Sequence, residues 1–158
     1  MRSCSFTGHR DIAPGHFESL SELVLRGIEY VYGKGVRDFY TGGALGFDTM
    51  AAKAVIMFRM AHPEVRLHLL LPCKGQSDNW SRGQQEVYDF IMSEADDCEY
   101  VAEDYYKGCM RARNRRLAEC CDVLIAYSGR AGSGSAQTVR FAKELGKEVY
   151  NLFGKVNI

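Results

Sequence analysis

The run Leu67-His68-Leu69-Leu70-Leu71, stopped by Pro72, decides the fold. Four leucines in five positions, closed by a residue without a backbone N–H, describe a short strand that is apolar on both faces. Strands of this kind occur in parallel sheets covered by helices on each side.

Working outward in both directions, short β-rich runs alternate with helical patterns. Before it, Phe39-Tyr40-Thr41 reads as a strand, and Gly42-Gly43 turn it into a helix over Phe47 to Met60. Earlier still, Ser3 to Thr7 reads as the first strand. A helix from Phe17 to Tyr32 follows, with the stripe Leu20, Leu23, Val24, Ile28 and Val31, and Gly33-Lys34-Gly35 ends it. After the central run come helices over Arg82 to Glu94, Arg111 to Cys120 and Ala136 to Leu145. They interleave with strands at Cys98 to Val101, Val123 to Tyr127 and Glu148 to Leu152. Such alternation implies parallel βαβ units with right-handed crossovers. With no internal repeat, low-complexity tract or linker, the sequence predicts a single α/β domain over residues 1–158: Rossmann-like, three-layered, with a mostly parallel sheet.

A chain of 158 residues is long enough to bury a sizeable core. Twenty basic and twenty acidic side chains cancel, so nucleic acid or an anionic membrane would have to be met by a local patch. No apolar run approaches the roughly 20 residues of a membrane span. The opening residues Met1 to Phe6 run straight into the first strand without the pattern of a secretory leader. Six cysteines form no Cys-x-x-Cys pair, which favours reduced thiols over a metal site at Cys109, Cys120 and Cys121. A cytoplasmic location with no metal follows as the expectation.

Three strand-to-helix turns are rich in glycine or small polar residues. They are Thr7-Gly8-His9-Arg10, Gly42-Gly43-Ala44-Leu45-Gly46-Phe47-Asp48, and Ser128 to Ala136 with Gly132-Ser133-Gly134-Ser135. Ligands of open α/β sheets bind at the carboxyl ends of the strands. Glycine there lets amide N–H groups approach an anion, aided by the helix dipole, although each loop alone reads equally well as a tight turn. Together they point to a phosphate site. Neither Gly-x-Gly-x-x-Gly nor Gly-Lys-Ser/Thr occurs, so a standard dinucleotide or P-loop site lacks support.

Cys109 to Arg116 adds four arginines, with Arg111 and Arg115 on one helical face and Arg113 and Arg116 on another. They suit phosphate clamping or a solvated, ion-paired face. His9 is a candidate ligand contact or a structural hydrogen-bonding group, and Arg10 is the better phosphate candidate. Asp48 reads as a helix-dipole carboxylate or a catalytic acid. Trp80 either stacks on a base or caps the core edge.

In order along the chain, Thr7 to Arg10, Gly42 to Asp48, the Gln76, Trp80 and Tyr88 spacing, Arg113-Asn114-Arg115-Arg116 before Asp122, and Gly132 to Ser135 leading to Thr138-Val139 resemble the YpsA-like branch of the SLOG superfamily. Its relatives include the DNA-processing protein DprA and the cytokinin-activating LOG enzymes.

The resemblance implies a Rossmann-like fold holding a nucleotide or an ADP-ribose-like ligand, with Thr7 to Arg10, Gly42, Gly43, Gly46, Asp48, Arg111, Arg113, Asn114 and Gly132 to Ser135 around it. LOG enzymes hydrolyse nucleoside monophosphates with a glutamate that follows the last loop. Gln137 and Thr138 stand there, so LOG-type hydrolysis is disfavoured and catalytic residues stay unassigned. A non-catalytic sensor or regulatory module is the leading expectation. Single-stranded nucleic-acid binding of DprA type and N-glycosidase activity are the alternatives. DNA is disfavoured by the acidic stretch Glu94, Asp96, Asp97, Glu99, Glu103 and Asp104. A homodimer fits the fold class, without a motif to carry it.

Overall fold

In the computed structural model, residues 1–156 are described; the last two of the 1–158 span lie outside the described residues. Six strands form one sheet: β1 (Ser3–Gly8), β2 (Asp38–Thr41), β3 (Arg66–Cys73), β4 (Asp97–Ala102), β5 (Val123–Tyr127) and β6 (Glu148–Asn151). Their order is β4-β3-β2-β1-β5-β6, and every neighbouring pair is parallel. Five helices connect them: α1 (Phe17–Gly33), α2 (Phe47–Ala61), α3 (Arg82–Glu94), α4 (Cys109–Cys120) and α5 (Gly134–Glu144). The predicted elements are all present, with ends shifted by a residue or two. The largest shifts are of two residues: α4 and α5 begin early, at Cys109 and Gly134, and β3 is not stopped by Pro72 but runs on to Cys73. Cys73 pairs with Ala102 of β4, while Pro72, without an N–H, makes no pair of its own.

The arrangement is three-layered. Helix α2 packs between α1 and α3 on one face of the sheet, while α4 and α5 pair on the other. The α1 stripe Leu20, Val24, Ile28 and Val31 is wholly buried, each side chain contributing about 1.5–3 kcal/mol of transfer free energy. A second, smaller cluster of Ala118, Cys121, Leu124, Phe141 and Ala142 lies under α4 and α5. Strand β3 is buried almost throughout, as its leucines require. Its one polar interruption, His68, stacks on Tyr40 of β2 and reaches Asp38 on β2 (2.8 Å) and Asp97 on β4 (3.3 Å). The imidazole therefore staples three strands.

Strand order reverses at β1, whose neighbours are β2 and β5. The loops leaving the carboxyl ends of β1, β2 and β5 consequently meet above one crevice, where open α/β sheets hold their ligands. No helix among the described residues is long and apolar enough to cross a membrane. Cys109 and Cys120 stand at opposite ends of α4, roughly 16 Å apart at 1.5 Å per residue, too far to share one metal ion.

Candidate functional site

The loop after β1 is pinned on every side. A Cβ on Gly8 would overlap the Phe47 ring, so glycine is what lets α2 begin against β1. The His9 amide donates to the Tyr127 carbonyl (3.2 Å), and the His9 carbonyl accepts from the Phe47 amide (3.1 Å). His9 Nε2 accepts from the Gly129 amide (2.7 Å), which leaves the ring proton on Nδ1 to be donated to Ser135 Oγ (3.3 Å). Ser135 passes its own proton to Ser128 Oγ (3.0 Å). Burial, helped by the Arg130 charge, holds the imidazole below its ordinary pKa. His9 is thus a neutral hub joining the β1 and β5 loops, with both nitrogens used inside the protein. Tyr127 completes the anchor: its hydroxyl accepts from the Ala13 amide (3.2 Å) and meets His16 Nδ1 (2.7 Å).

The loop after β2 already holds an anion. Asp48, in the first turn of α2 and almost fully buried, turns back so that Oδ2 accepts from the Ala44 amide (3.2 Å); the Gly42 amide also stabilises it. Gly43 and Gly46 supply the turn with φ of +68° and +75°. Arg113 reaches across from α4. Its Nη1 donates to the Gly42 carbonyl (2.5 Å) and its Nε to Asn114 Oδ1 (3.0 Å), and a Cβ on Gly42 would overlap its guanidinium. Asn114 in turn donates to the Gly134 carbonyl (3.3 Å) and to Gln137 Oε1 (3.2 Å). Burial pushes Asp48 up to about 6, against the pull of Arg113, the two amides and Arg10. Burial likewise lowers Arg113, more than the Asp48 charge restores. Two guanidinium groups thus face one carboxyl, and positive charge is in surplus.

The third loop is the open one. Ser133 caps α5: its Oγ accepts from the Ala136 amide (3.1 Å) and donates to the Arg130 carbonyl (2.7 Å). The amides of Gly134 and Ser135, in the first turn, have no helical acceptor, and the space around Gly132 is unfilled. Substituting Ser133→Ala should lower stability by about 1 kcal/mol, read from urea unfolding midpoints.

The sequence-predicted residues therefore divide. Thr7, Gly8, His9, Gly42, Asp48, Asn114 and Ser135 are committed to contacts that build the crevice. Arg113 and Ser133 are likewise held by the bonds described above, Gly43 and Gly46 are half-buried in the β2 loop, and Arg10, Gly132 and Gly134 are exposed. Arg111 lies elsewhere, its guanidinium 4.9 Å from the Phe141 ring centroid beside that of Arg115 at 5.2 Å. Arg116 pairs with Glu99 on β4 (2.9 Å). The four arginines point three ways rather than forming one track. Much of the acidic stretch is also paired: Glu94 and Asp96 with Arg59, Asp97 with His68, Glu103 with Lys74. Trp80 packs edge-on against Tyr88 (5.3 Å), with the Arg10 guanidinium 5.8 Å from its ring. His16 and Tyr127 are not among the site residues that the sequence offers, and Ser128 enters there only as the start of the third loop. Tyr127 carried a signal, a tyrosine closing an otherwise aliphatic strand immediately before a glycine loop.

A family model described as the YspA SLOG family matches residues 7–143, from the first loop to the last turn of α5. The chain belongs to this family. Among curated relatives, a UPF0398 protein of Bacillus cereus strain B4264 is 25% identical over 157 residues, covering 93% of this chain and 85% of its own. A UPF0398 protein of Bacillus thuringiensis strain Al Hakam is 23% identical over 160 residues, covering 96% and 87%. Among solved structures, DNA processing protein A of Streptococcus pneumoniae superposes with a TM-score of 0.69 at 22% identity, over 95% of this chain and 50% of that one. Its Helicobacter pylori counterpart, described for a single-stranded DNA binding mode, gives 0.65 at 24% identity, over 94% and 63%. TM1055 gives 0.61 at 16% identity, over 94% and 72%. The chain thus spans half to about two thirds of the two DNA processing proteins, and the likeness establishes the shared fold.

Within this SLOG chain, the positions following the last loop are built into the scaffold. Gln137 accepts from Asn114, and Thr138 Oγ1 donates to the Gly134 carbonyl (3.2 Å). The buried carboxylate of the crevice is Asp48, from a different loop.

Proposed function

We propose that this YspA SLOG protein binds a phosphate-bearing ligand, a nucleotide or an ADP-ribose-like molecule, and works as a sensor or regulatory module without LOG-type hydrolysis. The observation that carries the reading is Arg113. It is a nearly fully buried guanidinium, joined through Asn114 to the start of α5 and opposed by the one carboxyl of Asp48. With Arg10 also acting on Asp48, one carboxyl serves two guanidinium groups, which favours an incoming anion, and the free first-turn amides of α5 supply the complementary donors. Hydrolysis of LOG type needs a carboxylate that Gln137 and Thr138 do not provide. The free thiols fit a reducing, cytoplasmic setting.

Thermal unfolding tests this directly. A nucleotide at 100 times its dissociation constant adds about 2.7 kcal/mol, or roughly 5–10 °C for a chain of this length. Arg10→Ala, at an exposed position, should weaken phosphate binding about tenfold by removing one charge-assisted contact. A melting temperature that stays fixed with mono- and dinucleotides and ADP-ribose rejects the proposal.

The second reading, single-stranded nucleic-acid binding, draws on the Helicobacter pylori relative and on Tyr105 and Tyr106, exposed beside Lys107 and Arg111. It requires oligonucleotide affinity that falls steeply with salt. Oligonucleotide anisotropy that does not rise even at low ionic strength removes it.

A further inference from the structure

A groove of about 920 Å³ opens from the same crevice along the outer side of α2. Its upper end is made by Gly43, Gly46 and Asp48 of the β2 loop, together with Ile12, Leu45 and Trp80. Its lower end runs between α1 and α3 to Met57, which is 71% exposed. The volume is that of a small-molecule site, and the walls are mainly apolar, as sites that hold a ring or hydrocarbon are. Gly43 and Gly46 shape its upper end through the backbone: a Cβ on Gly43 would overlap Leu71, and one on Gly46 the Arg10 and His9 carbonyls, so neither can carry a side chain without displacing the loop. Both glycines have positive φ that other residues avoid, so the opening is fixed by the backbone.

Arg10 links the groove to the charged crevice. Its guanidinium lies 5.8 Å from the Trp80 ring and close enough to Asp48 and Arg113 to alter the ionisation of both. A ligand whose phosphate meets Arg10 and Arg113 therefore has the indole within reach of its next group. The indole is already oriented by its edge-on contact with Tyr88, so a stacking partner would not have to order it. We infer that the upper end of this groove is a ring-binding subsite, in which a planar base of purine size lies against Trp80 and the apolar surface of Ile12 and Leu45. This assignment rests on the phosphate-binding reading above and makes the ligand a nucleotide rather than a sugar phosphate.

Trp80 is the only tryptophan of the chain, so its emission reports on this subsite alone. Wild-type protein is titrated with adenosine 5′-monophosphate, ribose 5-phosphate and inorganic phosphate, with affinities measured in parallel by calorimetry. The nucleotide should alter Trp80 emission saturably and bind about tenfold tighter than ribose 5-phosphate, the worth of one stacked base. Trp80→Leu should bring that ratio close to one, and Trp80→Phe should keep most of it. Ribose 5-phosphate binding that is lost on Arg10→Ala, with no advantage for the nucleotide, overturns the ring subsite while the phosphate reading stands. A nucleotide advantage that survives Trp80→Leu overturns it as well, because the base then lies elsewhere. If none of the three ligands binds, both readings fall. The wild-type titration decides even if the leucine variant does not fold.

Discussion

Gly46→Ala should destabilise the protein by about 3 kcal/mol or more and abolish ligand binding in whatever fraction stays folded. Gly46 is the N-cap residue of α2, with φ of +75° and ψ of −118°, a region that residues with a Cβ rarely enter. Strain is half of the cost. The other half is overlap, because an added methyl would collide with the Arg10 carbonyl oxygen and would press on the His9 carbonyl. Both neighbours are backbone and cannot swing aside as a side chain would. The His9 carbonyl is also the acceptor for the Phe47 amide that starts α2, so relieving the collision breaks a hydrogen bond between two loops. Gly83→Ala is the control, since a Cβ there meets no atom within 4 Å. Chemical denaturation of the two variants should separate them by most of that difference. Equal midpoints would mean that the β1 and β2 loops do not touch in this way.

The contrast between these two glycines shows what the sequence could convey. Strand and helix positions were legible because burial imposes periodicity: the α1 stripe repeats every three to four residues, and the leucines of β3 are broken only by His68. The meeting of the three loops was legible too, since parallel βαβ topology forces every strand-to-helix turn to one edge. The contents of the crevice were not. Composition marks Gly42 to Gly46 as an amide-rich turn, but that Asp48 folds back to occupy those amides depends on a side-chain rotamer and on a guanidinium arriving from 65 positions later, at Arg113. His9 is similar. Its type suits phosphate contact, yet its hydrogen bonds to Gly129 and Ser135 cross about 120 residues and no local pattern records them. The arginines of α4 had the right helical spacing, but neighbouring elements decide what each one meets: Gly42 for Arg113, Glu99 for Arg116, Phe141 for Arg111 and Arg115.

The Asp48 and Arg113 pair gives the sharpest energetic expectation. Asp48 has a native pKa near 6, above the 3.8 of an unperturbed aspartate, so the folded protein binds its proton more tightly than the unfolded chain does. Its contribution to stability is therefore greatest below pH 3.8 and is lost as pH rises through about 6, by roughly 3 kcal/mol in all. Subtracting the stability curve of Asp48→Asn from that of the wild type removes the other titrating groups and should leave this fall between pH 4 and 7. A flat difference would mean that the carboxyl is not buried as described. Arg113→Ala should cost about 3–5 kcal/mol at pH 7, because it strands an ionised carboxylate in the interior and leaves the Gly42 carbonyl and Asn114 without their donor. The cost should shrink near pH 4.5, where Asp48 carries its proton and needs no cation. It should also shrink in the Asp48→Asn background, with the two substitutions differing from additivity by about 1–3 kcal/mol. An approaching phosphate competes with Asp48 for the same guanidinium groups, and its negative charge raises the pKa of Asp48 further. Ligand binding near pH 7 should therefore take up protons, so that affinity for a nucleotide weakens as pH rises from 6 to 8 in the wild type and does so less in Asp48→Asn.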